Sequence, residues 1–83
     1  MFEIYFSSQS RKFLKQHDPK DSERILSKIK KLQEMPIMHD SKRIQGTNYF
    51  RIRIGKFRVV YEVDYKTKIL GIVSINKRSR AYG

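Results

Sequence analysis

Arg51, Arg53 and Arg58 lie on either side of a glycine in the segment 49–63, Tyr-Phe-Arg-Ile-Arg-Ile-Gly-Lys-Phe-Arg-Val-Val-Tyr-Glu-Val. Phe50, Ile52 and Ile54 alternate with Arg51 and Arg53. Beyond the glycine, Phe57, Val59, Tyr61 and Val63 alternate with Arg58, Val60 and Glu62. Period-2 alternation on both sides of Gly55-Lys56 predicts a hairpin closed by a two-residue loop. Glycine at the first loop position suits a type II′ turn, which needs positive φ there. That loop sets Ile54 opposite Phe57, Arg53 opposite Arg58, Ile52 opposite Val59 and Arg51 opposite Val60. Three guanidiniums then share one face, with an apolar face behind them. Like charges directly opposite on a sheet are destabilising, so folding stability does not account for the arrangement. A polyanion lying across the face does.

The end of the chain adds Lys77, Arg78, Arg80 and Tyr82. The apolar run 69–75 reads as a central, mostly buried strand, since it lacks clean alternation. Set antiparallel to the second hairpin strand with Val63 opposite Ile69, it places Ser74 opposite Arg58. Lys77 and Arg78 then emerge beside the arginines, and Tyr82 can fold back over them. This set suits RNA phosphodiester cleavage. A 2′-hydroxyl must lose a proton and attack the adjacent phosphorus while charge grows on the phosphate and the leaving 5′-oxygen. Fixed guanidiniums stabilise that charge by bidentate bonds and need no metal to do so. Surrounding cations favour the phenolate of a tyrosine, which makes Tyr82 a candidate general base. Lys42, Arg43, Lys56, Lys77 and Arg80 are the candidate RNA-binding cations. The blander alternatives are a noncatalytic phosphate-binding face and a Tyr82 that packs or stacks.

Upstream elements must hold this face. A short strand over 1–6 puts Phe2, Ile4 and Phe6 on one side. The run 7–10 offers N-cap residues for a helix reaching about His17, with Phe13 and Leu14 inward. Asp18-Pro19 ends that helix and starts a second, because Asp caps well and Pro is tolerated at the first helical position. The second helix runs to about Glu34, with Ile25, Ile29 and Leu32 at helical spacing and Leu26 beside them. Residues 41–48 connect to the hairpin, and the tail 76–83 carries no regular pattern. The order β-α-α-β-β-β predicts an α+β fold, with two helices on one face of a small, largely antiparallel sheet and the arginine face open.

Length and composition limit the alternatives. The 83 residues make one domain, 1–83, with a modest core. Absent cysteines exclude disulfides and thiolate metal sites and suit a reducing cytoplasm. His17 and His39 lack metal-ligand spacing and read as solvated helix-end and loop residues. No glycine-rich phosphate loop occurs, no cofactor is implied, and neither a membrane span nor a signal peptide is expected. Net charge is +11 and uneven: residues 1–41 hold 8 Lys/Arg against 6 Asp/Glu, and residues 42–83 hold 11 against 2. The hairpin half is the electropositive half, as a nucleic-acid-binding face requires.

The chain resembles the RelE toxins of bacterial and archaeal toxin–antitoxin pairs. The likeness rests on the short strand and two helices, the basic alternating strand, the Arg-Val-Val-Tyr strand, and the closing Ile-Asn-Lys-Arg-Ser-Arg-Ala-Tyr. What the resemblance implies is a type II toxin that cuts mRNA in the ribosomal A site and is silenced by an acidic, RelB-like antitoxin. A heterotetramer with that antitoxin is an expected assembly. The family's site falls on Arg51, Arg53, Arg58, Arg78 and Tyr82, with Tyr82 as base and Arg78 assisting the leaving group. Two departures stand out. The hairpin pair is often lysine in the family, and Tyr82 sits four residues after Arg78 at the chain's end, where some relatives carry a C-terminal helix. The alternatives are a gyrase-binding toxin of the same fold, like the ParE branch, and a noncatalytic basic RNA-binding module.

Overall fold

A computed structural model describes residues 1–77. In chain order it contains β1 (Glu3–Phe6), α1 (Ser8–Gln16), α2 (Pro19–Glu34), β2 (Lys42–Arg43), β3 (Phe50–Ile54), β4 (Phe57–Asp64) and β5 (Ile69–Lys77). Both helices start as their residue types dictate. The Ser7 side chain accepts from the Ser10 N–H at 3.1 Å, and Asp18 accepts from the Lys20 N–H at 2.9 Å with Pro19 just inside the helix. Ile25, Ile29 and Leu32 form the buried stripe of α2, while Leu26 remains 38% exposed.

The five strands form one mixed sheet in the order β1-β5-β4-β3-β2. β5 lies inside it, parallel to β1 and antiparallel to β4; the other pairs are also antiparallel. The architecture is α+β, as the sequence pattern predicts, with one more strand than expected. Lys42 and Arg43, read from sequence as part of a connector, pair with Arg51 and Phe50 as a two-residue edge strand. Two polar residues are too short a run to carry a strand periodicity.

The β3–β4 hairpin has the expected register. Ile54 faces Phe57, Arg53 faces Arg58, Ile52 faces Val59 and Arg51 faces Val60. Gly55 has φ of 60°, whereas Lys68 is the one non-glycine residue with positive φ among the described residues, so the turn is of the II′ kind.

The β4–β5 register differs from the expected one. Val63 faces Leu70 rather than Ile69, and a bulge between Val60 and Tyr61 skips Val73. Arg58 therefore faces Asn76, not Ser74. One residue of the difference comes from the length of the turn and one from the bulge, and neither has a sequence signature here. β5 also runs to Lys77, into what was read as an irregular tail.

β1 ends at Phe6 while β5 continues, so other groups complete the neighbouring ladder. The Ser7 N–H donates to the Ile72 carbonyl at 3.0 Å and its hydroxyl to the carbonyl of the bulged Val73 at 2.7 Å. The Gln9 amide then pairs with Ile75 as a strand residue would: Nε2 donates to the carbonyl at 2.7 Å, and Oε1 accepts from the N–H at 2.9 Å. The core packs Ile25, Ile29 and Leu32 of α2 against Ile52, Val59, Tyr61, Leu70, Ile72 and Ile75 of the sheet. One sheet face is thereby covered and the other left for the arginines. No helix among the described residues is long and apolar enough to cross a membrane.

Candidate nucleic-acid interface

Strand alternation puts Arg51, Arg53 and Arg58 on the face away from the helices, because their neighbours Ile52, Ile54, Phe57 and Val59 are buried in the core. Arg53 is exposed; Arg51 and Arg58 are half-buried. With Arg43 they line one cavity of about 480 Å³ on the hairpin. Arg51 and Arg53 also line an adjoining cavity of about 400 Å³ with His39, Asp40 and Lys42. Lys42 stands directly across from Arg51 in the β2–β3 ladder. Four arginines and a lysine thus converge on adjoining cavities of one surface. A run of phosphate diesters, each carrying one negative charge, could offset them, whereas an apolar ligand could not.

Several interactions fix this arrangement. Arg43 donates to the Thr47 carbonyl at 3.2 Å and to Asn48 Oδ1 at 3.4 Å, folding the loop between β2 and β3 onto its own strand. Lys28 of α2 meets Asp40 at 3.2 Å, tying the segment before β2 to the helix layer. Partial burial pushes the Asp40 carboxyl upward, but the hydrogen bond and charge of Lys28, a backbone N–H and nearby His39 outweigh it. The group is held below the usual carboxylate range. Sequence reading missed Asp40 and Lys28, which lie on different elements with no local spacing to join them. Beneath the face, the Tyr61 hydroxyl donates to the Pro36 carbonyl at 2.7 Å and pairs with Ser41 Oγ at 2.7 Å. Burial chiefly raises its pKa. Ser41 Oγ in turn accepts from the Met38 N–H at 3.1 Å, so one chain of bonds clamps the loop before β2 to β4.

The remaining expected site residues fall as follows. Lys56 is exposed at the hairpin turn, one residue from the β4 strand that carries Arg58. Lys77 is exposed, but it faces Phe57, which is buried on the helix side; pairing partners share a side, so Lys77 leaves the arginine face. Asn76, across from Arg58, takes that place, with Gln9 Nε2 3.5 Å from its Oδ1. Arg78, Arg80 and Tyr82 lie outside the described residues. His39 is an exposed loop residue, as expected. His17 is not simply solvated: it stacks on Phe13 with centroids 4.7 Å apart, meets Phe57 edge-on at 4.9 Å, and sits 3.5 Å from Asp21. It serves the seam between α1, α2 and the hairpin.

Three kinds of relationship bear on this surface. Residues 4–82 match the family model of the ParE toxin of the type II toxin–antitoxin system parDE. A Methanocaldococcus jannaschii protein provisionally named toxin RelE1 is 34% identical over 85 residues, covering 98% of this chain and 94% of that one. Among solved structures, the archaeal RelE–RelB complex from Pyrococcus horikoshii aligns with a TM-score of 0.84 at 26% identity, over 95% of this chain and 97% of that chain. The intact Escherichia coli RelBE toxin–antitoxin complex aligns equally well, at 0.84 over 96% of this chain and all 100% of that chain, but at 18% identity, a likeness of fold alone. The family match spans nearly all of the described elements, and the archaeal relative is similar from end to end. The chain belongs to the ParE/RelE family of toxins of type II toxin–antitoxin systems.

Proposed function

We propose that this toxin is a ribosome-dependent endoribonuclease that cuts mRNA in the A site, with the arginine face as its cleavage surface. The observation that carries the reading is Arg53 set directly across from Arg58 on an open face, with Arg51 beside them. Like charges set directly opposite on a sheet carry a cost, and a polyanion lying across the face relieves it. In the proposed reaction the 2′-hydroxyl attacks the adjacent phosphorus, and Arg51, Arg53 and Arg58 donate to the oxygens on which charge develops. Arg78 is assigned, by likeness of position to the family, to stabilise the leaving 5′-oxygen, which takes a proton from solvent, and Tyr82 to take the 2′-hydroxyl proton. A guanidinium does not give up its proton, so the hairpin arginines stabilise charge and transfer nothing. Lys42, Arg43 and Lys56 would hold the flanking phosphates, each contact adding to a salt-dependent affinity.

An antitoxin is proposed as the silencing partner, as in the RelE–RelB complexes of the solved relatives. An acidic segment would complement the 42–83 half, where 11 basic residues face 2 acidic ones. A ribosomal target places the action in the cytoplasm. The family model's description favours a second reading, a toxin of the ParE kind that acts by binding gyrase.

One experiment separates the two. Purified ribosomes carrying a defined mRNA, and separately gyrase with supercoiled DNA, are exposed to wild-type protein and to Arg53→Ala and Arg58→Ala variants checked for fold by circular dichroism. The proposal predicts A-site cuts that fall about 10²–10³-fold in rate when a charge-stabilising arginine is removed. Intact mRNA together with inhibited gyrase would establish the alternative.

A further inference from the structure

Arg43 also lines a larger cavity, of about 750 Å³, at the far end of the β3–β4 ladder, bounded besides by Thr47, Asn48, Tyr49, Glu62 and Asp64. Glu62 and Asp64 are the two carboxylates of the whole 42–83 half, and both wall this cavity. Carboxylates repel phosphate, so the strand that crosses the arginine face must present something other than its backbone here. Asp64 is committed to the following turn: it accepts from the N–H groups of Lys66 at 3.0 Å and Thr67 at 3.2 Å. The Thr67 bonds, above all, hold its carboxyl below the usual range.

Among the described residues, Glu62 has no such task. It alternates with Arg58 and Val60 on the open face and is exposed. Its stem lies over Gly71, its partner on β5, where a Cβ would come within 3.2 Å of Glu62 Cγ. The bare glycine lets the carboxylate arm lie along the sheet. Tyr49 stands one residue before the Phe50–Tyr61 pair, is 37% exposed and lines the same cavity. An aromatic ring and an acceptor-only group on one wall fit an unstacked nucleobase, the ring for its face and the carboxylate for its edge.

We propose that Tyr49 and Glu62 form a subsite that reads a guanine in the RNA whose phosphates lie on the arginine face; the assignment rests on the nuclease reading above. A carboxylate presents two parallel acceptors, and the guanine edge presents two adjacent donors, N1–H and the 2-amino group. Adenine and cytosine offer a single donor beside an acceptor. The one N–H of uracil is flanked by carbonyls that a carboxylate repels. Glu62 lies four positions along β4 from Arg58, about 13 Å along a strand, so the base that is read neighbours the cut rather than flanking the attacked phosphate itself.

The test has two independent arms. In the first, wild-type, Glu62→Gln, Glu62→Ala and Tyr49→Leu proteins act on ribosomes programmed with mRNAs that differ only in the bases around the cut. Wild type should favour guanine over uracil at one position by about 5- to 150-fold, the discrimination a bidentate contact gives. That ratio should collapse toward one in both Glu62 variants. In the second arm, the free protein is titrated with guanine-containing and all-uridine trinucleotides while amide shifts are followed. The amides of Glu62 and Gly71 should move with the former alone. Cleavage with the same base profile in all four proteins overturns the subsite and leaves the nuclease reading standing. Guanine-dependent shifts without any cleavage overturn the nuclease reading and leave the subsite. Neither cleavage nor shifts overturns both.

Discussion

Replacing Tyr61 by Phe removes one oxygen from the centre of the fold and keeps the ring that stacks on Phe50 at 5.8 Å. The lost hydroxyl links β4 to the loop before β2 through both the Pro36 carbonyl and Ser41 Oγ. Ser41 is partly open and recovers water, but Pro36 is buried and its carbonyl would stand unpaired. Leaving one buried acceptor unsatisfied costs about 1–3 kcal/mol, so about 2 kcal/mol is expected. For a domain of this size that corresponds to a fall of about 8–16 °C in Tm.

The pH dependence adds a second signature. Burial raises the Tyr61 pKa, so the folded state favours the protonated phenol. That contribution is complete below the unfolded value near pH 10 and is lost as pH rises through the higher folded value. Wild type should therefore shed stability in alkali more steeply than Tyr61→Phe. Urea denaturation of the free chain, followed by circular dichroism at neutral and alkaline pH, measures both effects. A loss below about 0.5 kcal/mol, the range of neutral surface changes, would refute the clamp.

Gln9→Ala removes the amide that completes the ladder at Ile75, with an expected cost of about 1–3 kcal/mol and faster hydrogen exchange at the Ile75 amide. Arg53→Glu turns a like-charge cross-strand pair into an opposite one. It should stabilise the fold by about 0.2–1 kcal/mol in denaturation while abolishing mRNA cleavage, a divergence that a purely structural arginine would not produce. Asp40→Asn tests the tie between α2 and the segment before β2. The depressed Asp40 pKa contributes stability above the ordinary carboxylate value that is lost as pH falls through the folded one. The variant should lack that acid-side loss, with an amplitude under about 1 kcal/mol because the pair is partly exposed.

The parts of this fold legible in sequence are those governed by local rules. A two-residue glycine turn leaves a single register for alternating strands, so Arg53 opposite Arg58 could be read directly. Ser7 and Asp18-Pro19 carry their capping chemistry in their own side chains. The apolar run of β5 marks an interior strand, with β1 and β4 on its two edges and Leu70, Ile72 and Ile75 buried on one face. The rest depends on contacts distant along the chain. The Val73 bulge, which together with the turn before β5 moves Asn76 into the place expected for Ser74, is stabilised by Ser7, 66 residues earlier. Gln9 takes a strand's role from inside a helix. Lys42-Arg43 becomes a strand because β3 offers an edge, and Lys77 leaves the arginine face because β5 is longer than its apolar run. For the site, the hairpin arginines were accessible from sequence, whereas the Lys28–Asp40 tie was not.

The most direct test of the central claim is the chemistry of the cut ends. Attack by the 2′-hydroxyl at a phosphate held by Arg51, Arg53 and Arg58 leaves a 2′,3′-cyclic phosphate on the upstream mRNA fragment and a 5′-hydroxyl on the downstream one. Mass spectrometry of fragments released from ribosomes by the wild-type protein should find those two ends at the A-site codon. A 3′-hydroxyl upstream with a 5′-phosphate downstream would contradict the account.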